Sequence, residues 1–136
     1  MSRNFFYFNM IKQIVLVALG GSTGSVLRYL SSLWIMKRFP YRFFPLGTFI
    51  VNITGCFIMG FLLGLLFSHN IRSEESKLLL IVGFCGGYTT FSALSSESLQ
   101  LFEAGNYWTL ALYITGSVLL GIVAVWSGNV LSKIMI

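Results

Sequence analysis

The chain has 136 residues, 56% of them hydrophobic and 10% charged, with a mean hydropathy of +0.82 and a formal net charge of +5. Soluble domains carry about 25% charged residues, so this composition excludes a soluble globular protein and points to an integral membrane protein. A span needs roughly 20 apolar residues, so four spans with short loops fill the sequence as a single four-helix transmembrane domain. The basic residues fall at predicted span ends, so the charge reads as anchoring to phosphate headgroups rather than binding nucleic acid.

The start, MSRNFFYFNMIKQ, places basic residues ahead of an apolar run, as a signal peptide does. No A-x-A-like cleavage site follows, so this is read as a retained first span, about Gln13 to Met36. Gly20-Gly21-Ser22-Thr23-Gly24 is a small-xxx-small pattern that admits a neighbouring helix at close range. Arg28, four residues beyond Gly24, either lies inside the bilayer or snorkels to its edge. In both cases it is a candidate clamp or anion attractor.

After Lys37-Arg38-Phe39-Pro40-Tyr41-Arg42, a second span runs from about Phe44 to Phe67. Thr48, Asn52 and Cys56 recur at spacing four and share a helix face, while Gly60 and Gly64 repeat the small-residue spacing. Asn52 is the one amide in this apolar helix. It either bonds another helix or offers its amide hydrogens to a permeating anion. The connector Ser68 to Lys77 holds His69, Arg72, Glu74 and Glu75, and His69 has no catalytic partners there. Cys56 and Cys85 lie in apolar runs as small core residues, not a metal site.

The third span, about Leu78 to Phe102, contains GFCGGYTTFSALSSES from Gly83 to Ser98. Glycine weakens a helix, and serine and threonine offer the backbone other partners. A freed carbonyl or amide in hydrocarbon costs several kcal/mol, so a break at Gly-Gly-Tyr-Thr-Thr faces protein, an ion or a wet cavity. Carbonyls released at a helix break are natural ligands for a cation. The short loop Glu103-Ala104-Gly105-Asn106 leads to a fourth span, about Tyr107 to Leu131, in which Tyr113, Ser117 and Gly121 share a face. Trp34, Trp108 and Trp126 fall toward span ends, as interfacial anchors do. Arg3, Lys12, Arg72, Lys77 and Lys133 fall on one side, and Lys37, Arg38 and Arg42 on the other, joined by Arg28 if it snorkels. So weak a bias barely fixes orientation, and the chain is expected to insert both ways and pair antiparallel with a copy or near copy.

GGSTGSVLRY, GTFIVNITGCFIMGFLLG and GFCGGYTTFSALSSE resemble, in order and spacing, the motifs of the Fluc (CrcB) fluoride channels, and the resemblance spans essentially the whole chain. It implies an all-α membrane protein of four helices with a break in the third, assembled as an antiparallel dual-topology dimer. It further implies a central structural Na+ held by the carbonyls of Gly86 and Thr89 from both subunits. Passive export of fluoride would run through two pores, each built from both subunits. The pore residues it implies are Asn52, Thr48, Phe91, Ser92, Tyr113 and Ser117, with Arg28 and Glu97 as polar support. The chemistry is intelligible in itself: amide hydrogens, hydroxyls and the positive edge of a phenyl ring replace water around a small anion. A fixed cation lowers the cost of an anion in the membrane core.

The family pattern Phe-Ser-Thr-Phe is here Phe91-Ser92-Ala93-Leu94, and Gly121 stands where many members carry a hydroxyl. Leucine has no quadrupole edge, so either the channel conducts with leucine or the chain is one half of a heterodimer, silent alone. A small multidrug-type exporter needs a carboxylate in span one, and there is none. A non-conducting structural partner is motivated by Leu94 alone. No nucleotide-binding loop or catalytic constellation occurs, so the chain is not expected to be an enzyme.

Overall fold

The computed structural model describes residues 3–40, 44–68 and 74–135. Helix α1 covers Arg3–Arg38, α2 covers Leu46–Ser68 and α6 covers Tyr107–Ile134. The third span, Glu74–Glu103, is assembled from α3 (Glu74–Ser76), a π-helical stretch (Lys77–Cys85), α4 (Gly86–Tyr88) and α5 (Phe91–Glu103). Among the described residues, four segments are long and apolar enough to cross a membrane, as the apolar runs predict. His69, Arg72, Tyr41 and Arg42, which the sequence places in loops, lie outside the described residues.

Three span limits match the expectation to within a few residues, but α1 begins well before Gln13. Nothing in residues 3–12 stops a helix, since no glycine or proline precedes Gly20. With 36 residues, α1 is about 54 Å long, against a hydrocarbon core of about 30 Å. Proline before α2, and a glycine turn after α5, set the other boundaries. Gly105 has φ +72°. Its amide donates to the Phe102 carbonyl at 3.0 Å and the Asn106 amide to that of Leu101 at 2.9 Å. This is a Schellman closure, and glycine fits its left-handed position without a Cβ penalty.

Consecutive spans run in opposite directions. Lys12 Nζ pairs with Glu75 Oε1 at 2.5 Å, tying the N-terminal part of α1 to the start of the third span. Lys12, Lys77 and Lys133 therefore gather at one end and Lys37 and Arg38 at the other. α1 lies along the π stretch and α4, and α2 lies along α6. Both seams are made by small residues. A Cβ at Gly24 would come within 2.8 Å of the Tyr88 amide nitrogen, and one at Gly128 within 2.8 Å of the Phe61 nitrogen. The backbones touch because glycine stands there. Ile35, Val51 and Tyr88 form the buried cluster, with Leu46 and Ile50 against it. Many other large apolar side chains point outward, among them Leu112, Ile122 and Val26, as on a lipid-facing surface. Trp34 and Trp108 lie exposed near helix ends, while exposed Trp126 sits two turns inside the end of α6.

Candidate functional site

The helix of the third span is interrupted at Thr89 and Thr90. Thr89 has φ −81°, ψ 157°, and Thr90 has φ −148°, ψ 118°; both are extended. Gly86, by contrast, stays helical at φ −62°, ψ −37°. The glycines thus precede the break rather than form it. Gly87 permits close packing against α1, since a Cβ there would lie 3.0 Å from the Gly21 Cα. Thr90 then starts α5 as its N-cap, its Oγ1 accepting from the Ala93 amide at 3.2 Å.

The backbone groups freed by the break are met by side chains from α1 and α2. In an unbroken helix the Thr90 amide would reach the Gly86 carbonyl. Here it donates to Asn52 Oδ1 at 2.8 Å, leaving the Gly86 carbonyl without that donor. Asn52 Nδ2 donates in return to the Thr90 carbonyl at 3.0 Å, so one amide side chain pairs both backbone groups of one residue. Ser25 Oγ donates to the Gly87 carbonyl and Arg28 Nη1 to the Thr89 carbonyl, each at 3.4 Å. Arg28 is therefore directed at the break and not at the helix end. Tyr88 is buried, lies against the open edge of Gly55, stacks on Phe84 at 5.9 Å, and its hydroxyl is 3.3 Å from Thr54 Oγ1.

Beside the break lies an open cavity of about 480 Å³, lined by Arg28 and by the hydroxyls of Ser25, Ser32, Thr48, Thr90 and Ser92, with Ala93 in its wall. It meets a second cavity, of about 600 Å³, at Ser32 and Thr48. The second one opens toward the Phe39–Pro45 end and holds Glu97, Gln100 and Asn106. Glu97 joins three helices there. Its Oε1 accepts from Thr48 Oγ1 at 2.7 Å and its Oε2 from the Tyr113 hydroxyl at 2.5 Å. Tyr113 is fully buried and stands edge-on to Phe44, with ring centroids 5.4 Å apart.

The predicted residues thus separate into groups. Arg28, Thr48, Asn52 and Ser92 converge on the break and its cavity, and Thr48, Glu97 and Tyr113 form one hydrogen-bonded unit. Ser117 Oγ is buried without a hydrogen-bond partner. Phe91 points out of the chain, 80% exposed, and Gly86 is exposed too. Sequence reasoning missed Ser25 and the structural use of Thr90. Ser25 could have been found, since it lies four residues beyond Gly21 and three before Arg28 on the face that meets the break. Among the described residues no group of three or more His, Cys, Asp or Glu is placed to hold a metal.

Residues 15–129 match the family model of "CrcB-like protein, Camphor Resistance (CrcB)". A "Fluoride-specific ion channel FluC" of Azobacteroides pseudotrichonymphae is 49% identical, covering 91% of this chain and 98% of that protein. Proteins with the same description from Flavobacterium psychrophilum and Phocaeicola vulgatus are 45% and 46% identical, each over 90% of this chain and 98% and 100% of theirs. With four apolar helices long enough to span a membrane and this similarity along its length, the chain is a multi-pass bacterial membrane protein and belongs to the CrcB family.

Proposed function

We propose that the chain is a subunit of a fluoride-selective channel that passively exports fluoride and so limits its toxicity. The observation that supports this best is the hydroxyl-lined cavity with Arg28 in its wall, set against a helix break in a chain with only 10% charged residues. A small anion gives up tightly held water only where close donors replace it. Arg28 and Ser92 bring such donors to the cavity wall and Asn52 brings its amide to the break beside it, while Thr48 on the same wall donates its hydroxyl to Glu97, which also accepts from Tyr113. Asn52 spends one amide hydrogen on Thr90 and retains one for an anion. Relatives of 45–49% identity described as fluoride-specific channels support the same reading.

The working unit in this proposal is an antiparallel pair of chains. Phe91, Ser92 and Gly86 lie exposed on one chain, and a second copy gives those residues a protein partner instead of lipid. Gly86 and Thr89 would hold a sodium ion through their carbonyls. The fit rests on the Gly86 carbonyl, which has lost its helical donor, and on the second lone pair of the Thr89 carbonyl. Two carbonyls are too few to enclose an ion, so a pair of chains completes the set. When bound, the ion supplies fixed positive charge in the membrane core.

Leu94 and Ala93 favour a second reading, in which a sister subunit with phenylalanine at the equivalent of Leu94 completes a heterodimer. Ala93 lines the cavity, so the smaller side chain leaves space there. Expression of this chain in bacteria that lack fluoride efflux tests both. Growth in fluoride medium should be restored by the chain alone for the first reading, and only with the sister chain for the second. No rescue in either case refutes the proposed function.

A further inference from the structure

The donors that meet the break differ in kind. Asn52 and Ser25 are neutral, but Arg28 sets a full positive charge on the Thr89 carbonyl. An arginine inside a membrane ordinarily has a partner that explains it. Among the described residues the ion pairs are Lys12–Glu75 and Lys77–Glu74, and neither involves Arg28. The guanidinium has five N–H donors, and the contact it makes is long. Its 3.4 Å to Thr89 compares with 2.8 and 3.0 Å for the Asn52 clamp and lies beyond the usual range for an N–H···O bond. The same side chain lines the cavity with the Ser32, Thr48 and Ser92 hydroxyls. Arg28 therefore stands between two places that call for its charge: a bared carbonyl on one side and an anion-sized polar space on the other.

We infer that Arg28 is a tethered cation that competes with a bound monovalent metal ion for the Thr89 carbonyl, and that its release couples cation binding at the break to anion binding in the cavity. This rests on the proposed cation role of Gly86 and Thr89. A metal ion on the Thr89 carbonyl repels the guanidinium, which turns toward the cavity and serves an anion there. An anion in the cavity draws the guanidinium off the carbonyl and clears it for the metal ion. Each ligand thus tightens the other by the same factor, as linkage requires.

The test is isothermal titration of the full chain in lipid nanodiscs with sodium gluconate, N-methylglucamine gluconate holding ionic strength constant, in the absence and presence of fluoride. In the wild type, fluoride should tighten sodium binding roughly five-fold or more, in the range of ordinary allosteric coupling. Arg28→Gln keeps a donor for Thr89 and removes the charge. It should bind sodium more tightly than the wild type without fluoride and should no longer respond to fluoride. Sodium binding that is equal or weaker in Arg28→Gln, or still tightened by fluoride, overturns the inference while leaving the cation site standing. No sodium binding to either protein overturns the cation site, and the inference with it. Should Arg28→Gln fail to fold, the wild type decides: sodium affinity indifferent to fluoride overturns the coupling.

Discussion

Replacing Asn52 with alanine removes two hydrogen bonds at once, from the Thr90 amide at 2.8 Å and to the Thr90 carbonyl at 3.0 Å. An unsatisfied buried backbone group costs about 1–3 kcal/mol, and here that group is the Thr90 amide, because the Thr90 carbonyl, as that of the α5 N-cap, keeps the first helical bond. Thr90 lines the open cavity, and water that enters there can reach the amide. The expected loss therefore lies in the lower half of that range, about 1.4 kcal/mol, which is about tenfold in a local opening equilibrium. Hydrogen exchange at the Thr90 amide, measured by mass spectrometry in lipid nanodiscs, should accelerate by that order in Asn52→Ala. Exchange along α6, remote from the break, should hold its wild-type rate. A Thr90 amide that exchanges at the same rate in both proteins would show that Asn52 does not brace the break.

Gly128→Val drives a side chain into the α2 backbone, where a Cβ would already lie 2.8 Å from the Phe61 nitrogen. Overpacking of this kind costs about 1–3 kcal/mol or more, and a matching loss of resistance to denaturing detergent is expected. Thr48→Val and Tyr113→Phe each remove one donor to Glu97, at about 1.5–3 kcal/mol apiece. Their effects should not add, and a double-mutant cycle that returns no coupling would break the triad apart. Phe91→Ile should slow fluoride flux and leave the unfolding of the single chain unchanged, because the ring is 80% exposed there. The same change at exposed Leu131 should alter neither.

The four spans were legible because a bilayer demands long apolar runs and leaves few alternatives. The position of the interruption was legible to within a few residues, since glycine and threonine weaken a helix wherever they stand. Its exact form was not. Gly86 and Gly87 look like the break in composition, yet Gly86 stays helical, Gly87 is packed against α1, and the chain turns extended at Thr89 and Thr90. The π-helical stretch Lys77–Cys85 had no sign in its residues. An added residue per turn is a matter of backbone register, and leucine and isoleucine suit either form. Asn52 was undecided because an amide both donates and accepts, and its partner Thr90 lies 38 positions away. Arg28 was undecided because the side chain is long enough to reach the membrane edge or the break. Glu97 was singled out by resemblance, but only folding brings Thr48 and Tyr113 to its two oxygens.

Fluoride release from sealed liposomes holding the purified chain, followed with a fluoride electrode, is the plainest measurement of what passes through it. Rapid loss of fluoride with chloride retained, from liposomes that contain this chain alone or with its sister subunit, is the predicted result. Vesicles that keep their fluoride in both preparations, or that lose chloride as fast, would contradict a selective fluoride pathway.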